Sequence, residues 1–560
     1  MSKVPTYEDF CVDGKKVVDY ICDYVKDIAK RDVIDYSLKP NFLHSRLAKE
    51  MPVKGEKFDK IMTDFNRKIM PGVLNWMHPN FYAYFGAGNA YPSVIGEMLS
   101  SAISSVGFSW ASCPSLTELE QIVLDWFAKA LDLPPFYLSK TRNLSSIGGG
   151  AIQNSASDSI FAAMAAARHR AIKTLQDQDS DRDAPPSKYL PKLVCFASLN
   201  AHSSVEKAAK ILMVKLYAVE PNQEDSMTAV ALEKAIKETR DKGLVPFFVL
   251  STAGTTGQSA FDDIEKIGNV CKKYPSIWFH VDGAYGGNSF IVPEMRHLKR
   301  GMALTDSFNV NPNKLLLTAF DCSCLWVKDM KTFLEAYIVG SVDIEDQIST
   351  GIVDLHNFGV PWSRRFRALK LYFMFRMYGL KALQDYIRRV IKVGEHFAQL
   401  VKADTRFRVK NKPILGLVCF RLVGKSDETR RMAALPSPVD RLNEILLKKL
   451  NETNSIHLIP SHAQGKYVIR FVANQENCSE EQVEKAWRLI QETATKVLSS
   501  SSPHSSSMIM NDPFSKTRYL TSEQHESSPR RMLWDGASPV TIITDKDDDE
   551  DEDEDDDDDF

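Results

Sequence analysis

One lysine at the end of a β-rich run is the residue of this sequence most suited to covalent chemistry. Lys314 follows the run Ser307–Val310 and a polar turn that includes Asn311, and an apolar run begins directly after it. An amine desolvated at the mouth of a buried sheet has a lowered pKa, so it can act as a nucleophile toward an aldehyde. An ordinary surface lysine at a strand end is the alternative, and on this stretch alone it is the favoured one. The decision between the two therefore depends on the rest of the chain.

Polar residues also follow three β-rich runs upstream of this lysine. The run Ile277–Asp282 ends in a carboxylate, and Pro246–Thr252 is followed by Thr256. The run Leu193–Ser198 is followed by His202. Helical patterns alternate with these runs, which predicts a mainly parallel sheet with helices on both faces and a ligand site at the strands' carboxyl ends. A carboxylate, an imidazole, a hydroxyl and an amine are therefore expected at one edge of one sheet.

A glycine-rich turn opens an alanine-rich helix earlier in the chain. Gly148–Gly150 is followed by Ser155, Ala156 and Ser157, and the helical pattern covers Ile160–Ala171. Serine hydroxyls and free N–H groups at a helix N-terminus suit a phosphate, although helix capping alone also explains the serines. The pattern is neither a Walker loop nor a dinucleotide fingerprint, so nucleotide and nucleic-acid binding are not expected.

An aromatic stretch between residues 70 and 92 has too little periodicity for a helix. Trp76, Tyr84, Phe85 and Gly86 are its candidates for lining a substrate pocket, because small-molecule pockets combine aromatic surface with a few polar groups. A packed loop of core aromatics is the alternative for this stretch.

Composition indicates a globular protein of more than one domain. The chain has 560 residues, of which 44% are hydrophobic and 26% are charged. Its nine cysteines are scattered and lack metal-ligand spacing, so reduced thiols and no metal site are expected. Neither a secretory signal nor a run of 18 apolar residues is visible, which predicts a cytoplasmic protein without membrane association.

The charge distribution divides the chain into a long part with a net positive charge and an acidic C-terminal tail. The net charge is −3, and Asp547–Asp559 is an unbroken run of thirteen acidic residues, so the rest of the chain carries +10. A serine-rich stretch precedes this run, and residues 499–560 are predicted to be disordered. Residues 1–92 are predicted to form a helical segment with an amphipathic helix over Glu8–Lys30. A large α/β domain is expected over 93–360, and a small α+β domain over 361–498.

From about residue 5 to residue 497, the chain resembles the group II pyridoxal-phosphate decarboxylases of fold type I. More narrowly, it is similar to the animal aromatic-L-amino-acid, histidine and tyrosine decarboxylases. The resemblance lies in several separate motifs that occur in order. They are Met70–Val73, Gly107–Trp110, Ala201–Glu206, His280–Asp282, Asn311–Lys314, Phe320–Ser323 and Arg364–Arg367.

The resemblance implies an aspartate-aminotransferase-like fold with a mainly parallel seven-stranded sheet and pyridoxal 5'-phosphate as cofactor. Lys314 would hold the cofactor aldehyde, Asp282 would pair with its ring nitrogen, and His202 would stack on its ring. The remaining implied cofactor contacts are Ser155, Ala156, Ser157, Thr256, Ala284 and Asn311. The family also implies a homodimer whose sites use residues of both subunits, with the N-terminal helix reaching across to the partner.

Departures from the family pattern leave the product open. Asn313 resembles the invertebrate tyrosine decarboxylases, which favours tyrosine or dopa as substrate and a monoamine as product. Leu315 stands where the family usually has tryptophan, and Gly86 where it commonly has proline. The family's mobile loop carries a tyrosine that protonates the carbon left by CO₂ loss, yet Tyr337 is the only tyrosine in residues 328–360.

Three functions are therefore weighed. Amine formation is favoured because His202 is present, and certain aldehyde-forming relatives replace that residue. An aromatic aldehyde synthase is the alternative, because a carbanion that is not promptly protonated can react with oxygen. A protein that binds the cofactor without turnover and recruits a partner through its acidic tail is the third, but the joint presence of Lys314, Asp282 and His202 argues against it.

Overall fold

A large mixed sheet forms the centre of the computed structural model, which describes residues 4–86, 88–139, 147–340, 354–424 and 438–499, and the backbone of Met532–Trp534. The first seven strands are β1 (Gly149–Gln153), β2 (Leu193–Ser198), β3 (Lys215–Val219), β4 (Val245–Thr252), β5 (Trp278–Asp282), β6 (Ser307–Val310) and β7 (Ser323–Val327). Their order across the sheet is β1-β7-β6-β5-β4-β2-β3. The five strands from β6 to β3 run parallel, whereas β7 is antiparallel to both neighbours. The predicted mainly parallel seven-stranded sheet is thus confirmed.

Helices pack on both faces of this sheet. The connection from β2 to β3 through α6 (Ser204–Ile211) runs toward the β3 edge of the sheet. The connections from β3 to β4 through α7 (Ala229–Arg240) and from β4 to β5 through α8 (Ile264–Cys271) run in the opposite direction. Because such connections are right-handed, α6 lies on one face of the sheet and α7 and α8 lie on the other. The helices are α1 (Tyr7–Lys26), α2 (Phe58–Asp64), α3 (Tyr91–Ile103), α4 (Pro114–Ala130), α5 (Ala156–Gln178), α6 (Ser204–Ile211), α7 (Ala229–Arg240), α8 (Ile264–Cys271), α9 (Pro312–Leu315), α10 (Met330–Leu334), α11 (Ala368–Ala403), α12 (Pro438–Asn451) and α13 (Glu480–Ser499).

The packing of helices on both faces of the sheet explains why its central strands are apolar along their whole length. Every residue of β2 and of β5 is buried, as expected for parallel strands covered on both faces. Helix α5 extends beyond its predicted bounds at both ends, and it packs closely on the sheet because most of its buried residues are alanines. Strands β1 and β3 were not predicted from the sequence.

A smaller antiparallel sheet follows near the C-terminus. It consists of β8 (Phe407–Val409), β9 (Leu417–Leu422), β10 (Ile459–Ala463) and β11 (Lys466–Val472), in the order β10-β11-β9-β8. One face packs against α11, α12 and α13 in a core of its own. The other face is turned to the large domain, where the Cys419 thiol donates to the carbonyl of Gly257 at 3.1 Å. The predicted α+β character of this region is present in the structure.

The boundary predicted at residue 360 does not separate the two cores. Leu371 and Met374, in the first half of α11, belong to the core of the large domain, while Phe397 and Val401, in the second half, belong to the small one. Gly379 kinks the helix with φ 69° and ψ 169°, upstream of the point at which its packing changes from the large core to the small one. One long helix therefore serves both domains.

The N-terminal segment predicted over residues 1–92 also divides into two parts. Helices α1 and α2 contain no buried residue. Downstream of α1, the chain packs against its own small domain: the Val33 N–H donates to the Asn454 carbonyl at 2.8 Å, and Phe81 forms a β-bridge with His457. The helical part is therefore exposed, and its contact with a partner subunit remains a prediction.

A short strand lies within the tail that was predicted to be disordered. Strand β12 (Met532–Trp534) pairs antiparallel with β3, with Met532 opposite Tyr217, and so differs from that prediction at these residues. The other tail residues, including the acidic run, lie outside the described residues. No helix in the described part of the chain combines the length and apolarity needed to cross a bilayer.

Candidate active site

Lys314 lies at the carboxyl edge of the large sheet, as predicted. It belongs to α9, a single turn that follows β6 and begins with Pro312. Burial lowers the pKa of the Lys314 amine; the nearby Asp282 carboxylate opposes this shift, and Arg470 adds to it. An amine in this state is readily deprotonated, which is the condition for attack on an aldehyde.

Lys314 borders an inner cavity of about 170 Å³. All nine residues predicted to contact the cofactor line this cavity. They are Ser155, Ala156, Ser157, His202, Thr256, Asp282, Ala284, Asn311 and Lys314. The carboxyl ends of five strands, which are the neighbouring β6, β5, β4 and β2 and the edge strand β1, bring these residues together although they are far apart in the sequence.

The carboxylate of Asp282, the last residue of β5, is held in a fixed orientation. Its Oδ1 accepts from the backbone N–H of Ala284 at 3.0 Å and from Nδ2 of Asn309 at 3.2 Å. The two hydrogen bonds fix the position of this oxygen at the end of β5. An ionised carboxylate beside the cavity can hold a protonated ring nitrogen.

The N-terminus of α5 opens into the same cavity. The Ser155 side chain accepts from the Asp158 N–H at 3.1 Å and caps the helix. The N–H groups of Ala156 and Ser157 have no partner within the helix, and such groups bind phosphate. Ser155 thus caps the helix and the next two residues line the cavity, while phosphate binding stays a prediction.

His202 stands on the wall between the inner cavity and a larger outer one. Its Nδ1 accepts from the Ser204 N–H at 3.1 Å, so the neutral ring carries its hydrogen on Nε2. Although the ring is exposed at its outer edge, partial burial lowers the pKa of His202; Lys314 lowers it further and Asp282 opposes the shift. The ring is thus a neutral donor at neutral pH.

The outer cavity has a volume of about 920 Å³ and an aromatic wall. Trp76 and Tyr84 stack with ring centroids 5.2 Å apart, and Phe85 stacks on Tyr285 at 3.9 Å. Three of the four predicted pocket residues line the cavity, but Gly86 does not, and a Cβ added there would meet open space.

Arg470 was missed by the sequence analysis. This fully buried residue of β11 lines the outer cavity with its guanidinium carbon 4.9 Å from the Phe85 ring centroid. Its Nη2 lies 3.5 Å from the Tyr84 carbonyl, and its Nε and Nη1 have no hydrogen-bond partner in the described part of the chain. A charged residue inside the apolar run Tyr467–Val472 was the available signal, because arginine is rarely buried without a partner.

Tyr337, the only tyrosine of residues 328–360, does not lie in either cavity. Its hydroxyl donates to the Ala162 carbonyl of α5 at 2.8 Å, and its ring packs against Phe333. Ser341, which lies near the place where the family's loop tyrosine is expected, belongs to residues 341–353, and these lie outside the described residues. Tyr337 therefore has a structural role in this conformation.

The inner cavity fits pyridoxal phosphate in its chemistry. It combines a desolvated amine, a fixed carboxylate and a helix N-terminus. Two buried oxygens on its lining, Oγ1 of Thr252 and Oδ1 of Asn311, have no partner among the described residues, as expected where a polar group is to be bound.

Comparison with known proteins agrees with this chemistry. Residues 40–423 match the model of the pyridoxal-dependent decarboxylase conserved domain. The chain belongs to the pyridoxal-dependent decarboxylase family. Like other members, it is a carboxy-lyase that uses pyridoxal phosphate, which serves as an electron sink when the carboxylate leaves.

Relatives within the decarboxylase family match most of this chain. The aromatic-L-amino-acid decarboxylase of Cavia porcellus is 40% identical over 487 residues, which are 87% of this chain and 97% of that protein. The structure of Oryza sativa TDC with PLP and tryptamine has 31% identity and a TM-score of 0.82, covering 89% of this chain and 100% of that one. The structure of Rhodiola rosea 4-hydroxyphenylacetaldehyde synthase has 32% identity and a TM-score of 0.78, and the match covers 88% of this chain and 99% of that one.

Proposed function

We propose that this enzyme removes the α-carboxyl group of an aromatic L-amino acid, with tyrosine or dopa favoured, and releases the monoamine and CO₂. The observation that carries the proposal is the aromatic wall beside the reactive amine. Lys314 Nζ lies 5.5 Å from the Phe85 ring centroid, in a cavity that Trp76 and Tyr84 also line. Relatives named for aromatic amino acids support the same substrate class.

Three residues share the work on the cofactor in this proposal. Lys314 would supply the amine that holds the aldehyde, and Asp282 would accept a hydrogen bond from the protonated ring nitrogen. His202 packs beside the ring and directs its Nε2–H toward the substrate. The N–H groups of Ala156 and Ser157 hold the phosphate, with Asn311 beside them.

Arg470 is proposed to bind the substrate carboxylate. A buried guanidinium that has no carboxylate partner among the described residues is suited to bind a charged oxygen, because hydrogen bonds between charged groups are the strong ones. It lies against the face of Phe85, close enough to Lys314 to lower the pKa of that amine. Lys314 and Arg470 thus both lie near the Phe85 ring, on the lining of the cavity that an amino acid would enter.

Aldehyde formation is the second candidate, and one observation favours it. Tyr337 is hydrogen-bonded to the α5 backbone, and the rest of residues 328–360 contains no tyrosine to protonate the substrate carbon. Slow protonation gives oxygen time to react, so that aldehyde, ammonia and peroxide replace the amine. A relative of known structure is an aldehyde synthase. We favour the amine because the donor His202 is present beside the cavity.

A homodimer is proposed as the functional unit. Helix α1 leaves several apolar residues exposed, among them Tyr7, Phe10, Val18 and Val25, and apolar residues of α3 are also exposed. Exposed apolar side chains on two helices are consistent with a protein–protein contact. Light scattering of the purified protein should give twice the chain mass of 63.1 kDa, and deletion of residues 1–27 should reduce it.

The substrate proposal is tested by release of CO₂ from tyrosine, dopa, tryptophan, phenylalanine and histidine. We expect the highest kcat/KM with tyrosine or dopa and a loss of activity in Lys314→Ala. Preference for histidine, or turnover of none of the five, would contradict the proposal.

A further inference from the structure

Two motifs of the sequence have no role in the proposed reaction, and the structure brings them together. Phe320–Ser323 leads into β7, and Arg364–Arg367 precedes α11. The three arginines of the second motif differ in burial: Arg364 is 6% exposed and Arg367 is 8% exposed, whereas the Arg365 side chain is 53% exposed. Because arginines are rarely buried without a partner, the contacts of the two buried ones indicate what the motif does.

Arg364 holds the end of strand β1. Its Nη2 donates to the Ile152 carbonyl at 2.7 Å and to Glu120 Oε1 at 2.6 Å. The same carboxylate oxygen accepts from the Ile152 N–H at 2.7 Å. Both backbone groups of Ile152 are thus bound to one buried ion pair, which connects β1 to α4.

Arg367 holds the residue that follows β1. Its Nη2 donates to Asn154 Oδ1 at 2.6 Å and to Asp321 Oδ2 at 2.9 Å. Its Nε lies 3.3 Å from each oxygen of the same carboxylate. Arg367 therefore connects the end of β1 to the motif that leads into β7.

The residue between these two contacts is bound to the same stretch of chain. The side chain of Gln153 donates to the Phe358 carbonyl. Residues 152–154 are therefore all hydrogen-bonded to residues 358–367. We call the three residues that hold them, Phe358, Arg364 and Arg367, the arginine clamp.

The clamped residues lead directly into the N-terminus of α5. Ser155 follows Asn154 and caps this helix, and Ala156 and Ser157 line the inner cavity. A displacement of Asn154 must be transmitted to its covalent neighbours. The clamp is therefore placed to fix the N–H groups that would hold the cofactor phosphate.

Stability alone is a poor explanation of the clamp. Glu120 Oε2 and Arg364 Nε are buried and have no hydrogen-bond partner among the described residues. A buried ion pair with unpaired atoms is often no better for stability than apolar side chains of the same volume. It does supply a defined position, because the planar guanidinium presents its donors in a rigid fork.

We propose that the arginine clamp positions the N-terminus of α5 for the phosphate of pyridoxal phosphate. This inference rests on the proposed function, because it takes the phosphate to bind at Ala156 and Ser157. Arg364 and Arg367 are positioning residues, since neither belongs to the lining of the inner cavity. Coupling between two sites is reciprocal, so a clamp that favours phosphate binding is itself stabilised by the phosphate.

The test compares pyridoxal phosphate with pyridoxal, which keeps the ring and the aldehyde but lacks the phosphate. Dissociation constants of the apo-protein for both ligands are measured by equilibrium dialysis. We expect Arg367→Met to weaken binding of pyridoxal phosphate by about tenfold and to leave pyridoxal binding unchanged. Arg367→Lys keeps the charge but lacks the planar fork that joins Asn154 to Asp321, so it should weaken binding of pyridoxal phosphate as well.

Arg365→Met is the matched control within the same motif. Arg365 pairs with Glu97 of α3 at 2.9 Å, and its side chain is largely exposed. Its replacement removes one positive charge from the same stretch of chain, and it should alter neither dissociation constant.

Hydrogen exchange supplies a second readout that follows from reciprocity. In the wild-type protein, pyridoxal phosphate should slow exchange of the backbone amides of residues 354–367 more than pyridoxal does. In Arg367→Met this difference between the two ligands should be lost.

Equal weakening of both ligands by Arg367→Met would assign the clamp a purely structural role and overturn the inference. Wild-type binding by Arg367→Lys would assign the effect to charge alone and overturn it too. If Arg367→Met does not fold, Asn154→Ala breaks the same contact from the other side and carries the same expectation. A wild type that binds both ligands equally tightly would show that the proposed phosphate site is wrong. If the wild type prefers pyridoxal phosphate and Arg367→Met keeps the full preference, only the clamp is wrong.

Discussion

Replacement of Arg470 by methionine tests how the substrate carboxylate is bound. Arg470 is fully buried, and its Nε and Nη1 have no hydrogen-bond partner in the described part of the chain. Methionine fills a similar volume without charge. This change should weaken substrate binding, whereas it should not lower the free energy of unfolding.

The magnitudes follow from the contacts of Arg470. A hydrogen bond to a charged group contributes about 1.5–3 kcal/mol, so loss of the contact with a carboxylate should raise KM by roughly 10- to 100-fold. Loss of the contact with the Phe85 ring costs about 1 kcal/mol of stability. Removal of a buried and incompletely paired cation offsets this loss, so the free energy of unfolding should be unchanged or higher.

Arg421 supplies the control on the neighbouring strand. It is 4% exposed, and its Nε and Nη1 also lack partners in the described structure, but its Nη2 donates to Asp440 at 2.7 Å and it lines neither cavity. Arg421→Met leaves Asp440 without this cation, so it should lower the free energy of unfolding by about 3 kcal/mol and leave KM unchanged.

The assay combines steady-state kinetics with urea unfolding of the reconstituted enzymes. An unchanged KM in Arg470→Met would refute the assignment of Arg470 to the carboxylate. A raised KM in Arg421→Met would show that any loss of charge on this sheet disturbs the site, and would refute the reasoning in the same way.

Three further predictions address single contacts. Ser155→Ala removes the cap of α5, so it should cost about 1 kcal/mol of stability in urea unfolding and also weaken cofactor binding in dialysis. Tyr337→Phe removes the hydrogen bond to Ala162 and should cost about 1 kcal/mol, while the ratio of amine to aldehyde stays as in the wild type. Burial lowers the pKa of His457 to about 4. Between pH 6.5 and pH 4 this histidine is therefore protonated in the unfolded chain and neutral in the folded one, so the free energy of unfolding decreases as the pH is lowered through this range. His457→Phe should reduce the stability lost between pH 7 and pH 5 by about 2 kcal/mol in urea unfolding; an equal loss in both proteins would contradict this.

The parallel sheet and its ligand edge could be predicted because their causes are local. Strands buried on both faces are continuous apolar runs, so β2 and β6 were located at their observed bounds. Strands of one parallel sheet end at one edge, which is why Asp282, His202 and Lys314 were expected together. The nine predicted cofactor contacts share one cavity for the same reason.

The features that were missed depend on contacts distant in sequence. Strand β1 is glycine-rich and joins the sheet only by pairing with β7, so it has no strand pattern of its own. Arg470 belongs to the small domain, and nothing local shows that its strand faces the cavity. The boundary at residue 360 failed because the first half of α11 packs on α3 and α4 of the large domain.

The most direct test of the proposed function is the product balance of the reconstituted enzyme with L-tyrosine in air. Amine, aldehyde, hydrogen peroxide and CO₂ are quantified together over many turnovers. The account predicts one amine for each CO₂ and no peroxide above background. Equal amounts of aldehyde, peroxide and CO₂ would contradict it and would identify the enzyme as an aldehyde synthase.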